Sequence, residues 1–162
     1  MNPAYQRYDC DIAAIYERHA DAVYRLCFLY FKGRSMDVED AVQSTFIKLL
    51  DHPRAFENQR HERAWLLVTA GNTCKNMLRR WWRRHSAAWP EGMDVAAPNP
   101  DATLQAVLEL PMPYRETVYL HYYEGYSGAE IASMTGRTPS AVWGHLHRGR
   151  ALLGDMLKEE EP

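Results

Sequence analysis

Apolar residues recur at three- and four-residue steps along the first 85 residues, which predicts three amphipathic helices. The first spans about residues 11–32, and the second spans about residues 36–51 with Ser35 as its N-cap. A loop over residues 52–60 precedes the third helix, which covers about residues 61–85. The buried stripe of this third helix is predicted to contain Leu67, Ala70, Cys74, Met77 and Trp81.

Residues 102–162 form a second periodic region made of shorter predicted helices, the first two near residues 104–110 and 113–124. Ser127 and Glu130 then have the spacing of a capping box, which marks a helix start. That helix is expected to end near residue 135, because Gly136 adopts a left-handed conformation without steric cost. Thr138 and Pro139 fit the N-cap and first residue of the next helix. The pattern predicts a helix-turn-helix.

The segment between the two regions, residues 86–101, contains three prolines and one glycine and shows no periodicity, so a flexible linker is predicted. The fold class expected is all-α: two small helical domains, residues 1–85 and 102–162, joined by that linker.

Composition narrows the class of protein. No apolar run approaches the ~18 residues of a membrane span, and the charged N-terminus lacks the apolar region of a secretory signal. The three cysteines suit free thiols in a reducing compartment. We therefore expect a cytoplasmic protein without membrane insertion.

The charge is divided unevenly along the chain. Residues 1–90 hold 14 Lys/Arg against 10 Asp/Glu, and residues 91–162 hold 5 against 11. Neither part resembles a strong free-standing DNA binder, because non-specific affinity requires many cations to neutralise phosphates. Any DNA contact is expected to need a partner protein.

Two predicted helix faces carry candidate binding residues. The outer face of the second helix holds Asp40, Gln43, Ser44 and Ile47, which suit either a solvated face or an interaction surface. The outer face of the third helix is basic and rich in asparagine, and its side chains can pair with phosphates and base edges. The alternatives to nucleic-acid binding are a solvated charged face with no partner, binding to an anionic membrane surface and binding to an acidic partner. This second set comprises Asn72, Lys75, Asn76, Arg79, Arg80 and Arg83.

The second helix of the predicted helix-turn-helix would lie in a DNA major groove. Its first turns expose Arg137, Ser140, Trp143, His145 and His147, although an ordinary helical hairpin would show the same caps. No catalytic arrangement is visible: His145 and His147 diverge by about 200° on a helix and make a poor metal pair. No enzyme activity, metal, cofactor or small-molecule substrate is expected.

Three segments in order resemble the bacterial extracytoplasmic-function (ECF) sigma factors, which contain regions 2 and 4 of the sigma-70 family. They are VEDAVQSTFIKLL (38–50), AWLLVTAGNTCKNMLRRWWRR (64–84) and ELPMPYRETVYLHYYEGYSGAEIASMTGRTPSAVWGHLHRGRALL (109–153). The resemblance covers about residues 11–84 and 102–157. It implies core RNA polymerase and promoter DNA as partners, together with an anti-sigma factor.

The resemblance also implies a role for each candidate face. Asp40, Gln43, Ser44 and Ile47 would bind a coiled coil of the polymerase largest subunit. Asn72 would help capture an unstacked base of the minus-10 element, and Lys75, Asn76, Arg79, Arg80 and Arg83 would contact neighbouring bases or backbone. The minus-35 element would be bound by Arg137, Thr138, Ser140, Trp143, His145, His147 and Arg148.

Other functions are compatible with parts of the pattern. A stand-alone helix-turn-helix regulator would use its N-terminal half to sense a signal or dimerise, but no ligand-sensing or phosphoacceptor pattern is visible there. A helical interaction protein without DNA function would leave the asparagine and arginine residues and the recognition helix unexplained. Within the resemblance, family members commonly carry basic residues where this chain has Trp143 and His145, so an unusual minus-35 sequence is expected.

Overall fold

The computed structural model describes residues 3–32, 34–84 and 102–159, and every regular element in these ranges is a helix. The helices fall into two compact units. The predicted linker, residues 86–101, lies outside the described residues, so the linker and the domain limits beside it remain predictions. Within the described ranges, no helix combines the length and apolar character needed to cross a membrane.

The first unit is a bundle of three helices, α1 (Pro3–Phe31), α2 (Ser35–Asp51) and α3 (Gln59–Arg84), each of which contacts the other two. The three predicted helices are confirmed, but the predicted start of α1 at residue 11 is wrong. The apolar repeat begins only at Ile12, whereas the helix begins at Pro3, and periodicity marks only the part of a helix that carries the repeat. The core includes Val23, Leu26, Leu29, Val38, Leu49, Leu66 and Leu67.

The starts of α2 and α3 show how local sequence sets the helix ends. Ser35 is the first residue of α2, so the N-cap position belongs to Arg34, which makes no side-chain cap hydrogen bond. Arg34 Nε instead lies 3.2 Å from a carboxylate oxygen of Asp37, which is favourably placed near the positive end of the helix dipole. At α3, the Asn58 side chain accepts a 2.8 Å hydrogen bond from the His61 backbone N–H.

A buried polar contact joins α1 to the first turn of α3. Glu62 Oε1 accepts a 2.8 Å hydrogen bond from Arg18 Nη2 and lies 2.7 Å from His19 Nε2. Glu62 and His19 are both buried. Burial lowers the pKa of His19 and outweighs the opposite effect of the Glu62 carboxylate. This contact orients α3, which carries the predicted minus-10 residues.

The second unit contains α4 (Ala102–Leu108), α5 (Met112–Val118), α6 (Gly128–Thr135) and α7 (Pro139–Glu159), with α7 packed against the other three. α5 continues directly as a π-helix, Tyr119–Tyr123, so the helix predicted over residues 113–124 is confirmed, although its second part is π-helical. Its core includes Val107, Leu110, Val118, Tyr119, Tyr126, Ile131, Val142 and Leu146.

The extra residue in the π-helical turn separates buried from exposed tyrosines. Tyr119 is fully buried and its hydroxyl donates a 2.5 Å hydrogen bond to Glu124, whereas Tyr122 is 52% exposed. Gly125 then takes φ +78°, and the Tyr126 N–H bonds back to the Leu120 carbonyl to close the helix end. This closure leads directly into the helix-turn-helix.

The predicted helix-turn-helix is confirmed in its local details. Ser127 and Glu130 form both hydrogen bonds of the capping box at the start of α6. Gly136 ends α6 in the left-handed conformation, with φ +70°. Thr138 Oγ1 accepts a 3.2 Å hydrogen bond from the Ala141 N–H and caps α7, in which Pro139 is the first residue.

Candidate polymerase and nucleic-acid interfaces

The outer face of α2 carries the residues predicted to bind a partner protein. Asp40 and Gln43 are exposed, Ile47 is 50% exposed and Ser44 is half-buried. The buried side of α2 packs against α1 and α3, and Lys48 Nζ donates a 2.8 Å hydrogen bond to Thr73 Oγ1 of α3. The fold therefore presents this face outward while fixing the rotation of α2 about its axis.

Two exposed apolar residues extend this face, and sequence reasoning missed both. Met36 is 77% exposed and Leu50 is 49% exposed. Met36 lies seven residues before Gln43 and Leu50 lies seven residues after it, so all three side chains are on the same side of α2. This spacing was visible in the sequence. With Asp40 and Ile47 they alternate four- and three-residue steps, which is the spacing of a coiled-coil seam. We call these five residues the α2 stripe.

The outer face of α3 brings the predicted minus-10 residues together. Asn72 and Asn76 are exposed, and Arg79 Nη1 donates a 3.3 Å hydrogen bond to Asn76 Oδ1. Lys75 is half-buried, whereas Arg80 and Arg83 are exposed. Of the predicted buried stripe, Leu67, Ala70 and Cys74 are buried, and Met77 and Trp81 are intermediate.

An aromatic cluster at the start of α3 was not predicted. The Phe56 ring lies 6.0 Å from Trp65 and 5.4 Å from His61, and the Arg54 guanidinium lies 4.7 Å from the Trp65 ring centroid. Trp65 is seven residues before Asn72, so both lie on the same side of the helix, about 10 Å apart along its axis. The seven-residue spacing of Trp65 and Asn72 was the sequence signal that could have placed this ring beside the candidate DNA-binding face. Aromatic rings beside a basic surface can stack on bases.

The outer face of α7 contains three of the residues predicted to bind the minus-35 element. Ser140, Trp143 and His147 are exposed on one side of the helix, opposite the buried Val142 and Leu146. Gly144 lies among them, and a Cβ added there would have no atom within 4 Å. Arg148 is exposed at the edge of the same face.

Trp143 both packs against the preceding helix and remains available to a ligand. A Cβ built on Gly128 of α6 would lie 2.8 Å from Trp143 Cζ2, so the indole rests directly on this glycine. The side chain nevertheless keeps 56% of its surface exposed. Packing on α6 and contact with DNA are therefore compatible for this side chain.

Arg137 and His145 occupy different positions from the three exposed residues. Arg137 Nη1 lies 3.2 Å from Glu116 Oε2, whose side chain is buried on α5. The His145 ring lies 5.4 Å from the Tyr114 ring of α5, about 200° around the helix from Trp143. The pKa of His145 is lowered mainly by burial and further by Arg137 and Arg148. Thr138 is engaged in the α7 cap.

The described ranges contain no group of three or more His, Cys, Asp or Glu side chains placed to hold a metal ion. Cys27 and Cys74 are both buried in the first unit, and neither forms a disulfide within the described ranges.

Two family matches cover the two units separately. Residues 15–84 match Sigma-70 region 2, and residues 101–153 match Sigma-70 region 4. The chain is 35% identical to the ECF RNA polymerase sigma factor SigE of Mycolicibacterium smegmatis over 86% of its own length and 59% of that protein's length. It is 29% identical to the RNA polymerase sigma factor CarQ of Myxococcus xanthus over 91% of its own length and 89% of CarQ.

Solved structures show the same fold. The sigma factor RpoE, in a complex with the anti-sigma factor NepR from Bartonella quintana, matches with a TM-score of 0.76 at 19% identity, covering 96% of this chain and 99% of that one. CnrH, in a complex with the cytosolic domain of CnrY, matches with a TM-score of 0.64 at 24% identity, covering 93% of this chain and 89% of that one.

The two units therefore have the sequence and fold of sigma regions 2 and 4, in that order. The chain belongs to the ECF sigma factors of the sigma-70 family, a class of transcription initiation factors that direct promoter-specific transcription.

Proposed function

We propose that this protein binds core RNA polymerase and directs initiation at specific promoters by recognising and melting the minus-10 element and binding the minus-35 element. The observation that supports this most directly is the match of regions 2 and 4 to two helical units whose outer faces carry the predicted binding residues. The domain limits proposed are residues 1–85 for region 2 and 102–162 for region 4, joined by residues 86–101.

The α2 stripe is the proposed contact with polymerase. Its apolar residues Met36, Ile47 and Leu50 can pack into a helical partner, while Asp40 and Gln43 supply hydrogen bonds that fix the register. Ser44 lies at the edge of the same surface. Because the stripe is already exposed on the surface of α2, binding requires no rearrangement of the bundle.

The outer face of α3 is the proposed minus-10 site. Asn72 would form hydrogen bonds with an unstacked base, and this gain offsets the few kcal/mol that unstacking costs. The cations beside it would neutralise phosphates of the opened strand. The Arg79 to Asn76 hydrogen bond supports a shared role for these two side chains, because it holds both on the DNA-facing side. Lys75, Arg80 and Arg83 complete the proposed site.

The proposed minus-35 site has two parts. Ser140, Trp143 and His147 would face the major groove, because they share the outer face of α7, and Arg148 would contact DNA from the edge of that face. Arg137, Thr138 and His145 would act at the periphery: Arg137 as a phosphate contact held by Glu116, Thr138 by capping the start of α7, and His145 by packing on Tyr114 of α5.

In the proposed function, the protein acts by binding polymerase and DNA and catalyses no reaction itself, so it needs no cofactor. It would act in the cytoplasm, where bacterial RNA polymerase and promoters are found. An anti-sigma factor is proposed as a further partner, since RpoE, which shares this fold, was solved in a complex with the anti-sigma factor NepR.

Transcription with purified components tests the proposal. The protein is mixed with core polymerase and a library of promoter fragments, and specific transcripts should appear only when all three are present. Tight, specific DNA binding without polymerase would instead indicate a stand-alone regulator. Failure to bind either polymerase or DNA would leave only the interpretation as a helical interaction protein.

A further inference from the structure

Gly128 lies in the first turn of α6, where any side chain would collide with Trp143 of α7. A Cβ built on Gly128 would stand 2.8 Å from Cζ2, 2.9 Å from Cε2 and 3.3 Å from Cδ2 of the indole. Two carbon atoms attract each other best near 3.5–4.0 Å, so the first two distances are strongly repulsive. The indole can lie where it does only because residue 128 has no side chain.

The backbone at this position does not itself require glycine. Among the described residues, the glycines with positive φ are Gly125 and Gly136, and Gly128 is not one of them. The start of α6 is already stabilised by the Ser127 and Glu130 capping box. Glycine is therefore required at position 128 because the Trp143 ring occupies the space that a Cβ atom would fill.

This contact restricts how Trp143 can meet DNA. One side of the indole rests on α6, while 56% of the side chain remains exposed on the face that also holds Ser140 and His147. A ring held in one orientation before binding loses less side-chain entropy when it meets a ligand. An indole offers a broad apolar surface and a single N–H donor, which suits the methyl group of thymine better than the acceptors of guanine.

We propose that Gly128 is a specificity-determining positioning residue, which holds the Trp143 indole against the 5-methyl group of a thymine in the minus-35 element. The inference rests on the proposed function, because it specifies how the same α7 face selects DNA. Gly128 does not touch DNA in this arrangement and acts through Trp143.

Deoxyuridine substitution tests the methyl contact directly, because deoxyuridine pairs like thymine and lacks only the methyl group. The preferred minus-35 sequence is first selected from a randomised upstream element with the wild-type holoenzyme. Each selected thymine is then replaced in turn. At one position, wild-type holoenzyme should lose affinity roughly fourfold, the effect expected for one buried methyl group. Trp143→Ala should show no such loss at that position.

Gly128→Ala should remove the same methyl effect while leaving the fold intact, because the half-exposed indole can swing away from the new Cβ. In the Trp143→Ala background, Gly128→Ala should have no further effect on DNA binding, which a merely structural role would not predict. Gly154→Ala is the matched control: it also adds a methyl group to a glycine of the same unit, and its Cβ meets no atom within 4 Å.

Three results would overturn the inference. Wild-type discrimination between thymine and deoxyuridine in Gly128→Ala would show that the glycine does not position the ring. Unfolding of that variant, measured by circular dichroism, would make Gly128 a packing residue. Absence of any methyl-sensitive thymine for the wild type would mean that Trp143 does not read a methyl group. Failure of the proposed function is distinguishable, since it would abolish promoter-specific transcription by the wild type.

Discussion

Gly144→Ala should make the second unit more stable while weakening its binding to minus-35 DNA. Gly144 lies inside α7 without positive φ, and a Cβ there would have no atom within 4 Å. Alanine therefore removes the helix penalty of glycine, about 0.5–1 kcal/mol, without creating a new contact. For a unit of this size, 1 kcal/mol corresponds to about 4–8 °C, so the melting temperature should rise by roughly 2–8 °C.

The expected loss of DNA binding comes from the position of Gly144 on the outer face. It lies beside Trp143 and between the turns that carry Ser140 and His147, so an added methyl group would separate the α7 backbone from the groove. A decrease in affinity of about tenfold is expected, within the range of one lost base contact. Circular dichroism melting and fluorescence anisotropy of the holoenzyme on a selected promoter measure the two effects separately.

Gly154→Ala is the control for both measurements. Gly154 is also in α7 with open space at its Cβ, but it is ten residues further on, about 15 Å along the helix. It should show the same gain in stability with unchanged DNA affinity. Equal DNA binding by the two variants would show that the backbone at Gly144 does not approach DNA. A lower melting temperature for Gly144→Ala would contradict the reasoning from helix propensity.

Three further predictions concern the first unit. Asp40→Arg combined with Gln43→Ala should weaken core polymerase binding in a pull-down while leaving the melting temperature nearly unchanged, because both side chains are exposed. Asn72→Ala should keep core binding but lose promoter melting, detected by permanganate reactivity of thymines. The free energy of unfolding should fall as the pH drops from neutrality through 6.5, because the pKa of buried His19 is lowered in the folded state and the unfolded chain takes up the proton first. The decrease should level off below the folded pKa, and His19→Gln should flatten it. Normal polymerase assembly by the double variant, normal melting by Asn72→Ala or an unchanged pH profile for His19→Gln would contradict the respective prediction.

The sequence by itself determined the helices and most of the residues at which they begin and end. Capping at Ser127, Glu130 and Thr138 and the left-handed turn at Gly136 depend on hydrogen bonds and sterics within a few residues, so their signals are local and were predicted correctly. The rotation of each helix also follows from the sequence, because apolar periodicity identifies the side that must be buried. This is why the outer faces of α2, α3 and α7 could be assigned before the structure was known.

Only the tertiary structure decided which side chains meet between helices. The contact of Arg137 with Glu116 and that of Trp143 with Gly128 join positions separated by at least fifteen residues, and periodicity carries no information about such partners. It also revealed that His145 faces α5, because packing of two helices determines what lies beside a residue at the edge of a stripe. A helical pattern specifies which way a side chain points, whereas its neighbour depends on the distance and angle at which another helix packs.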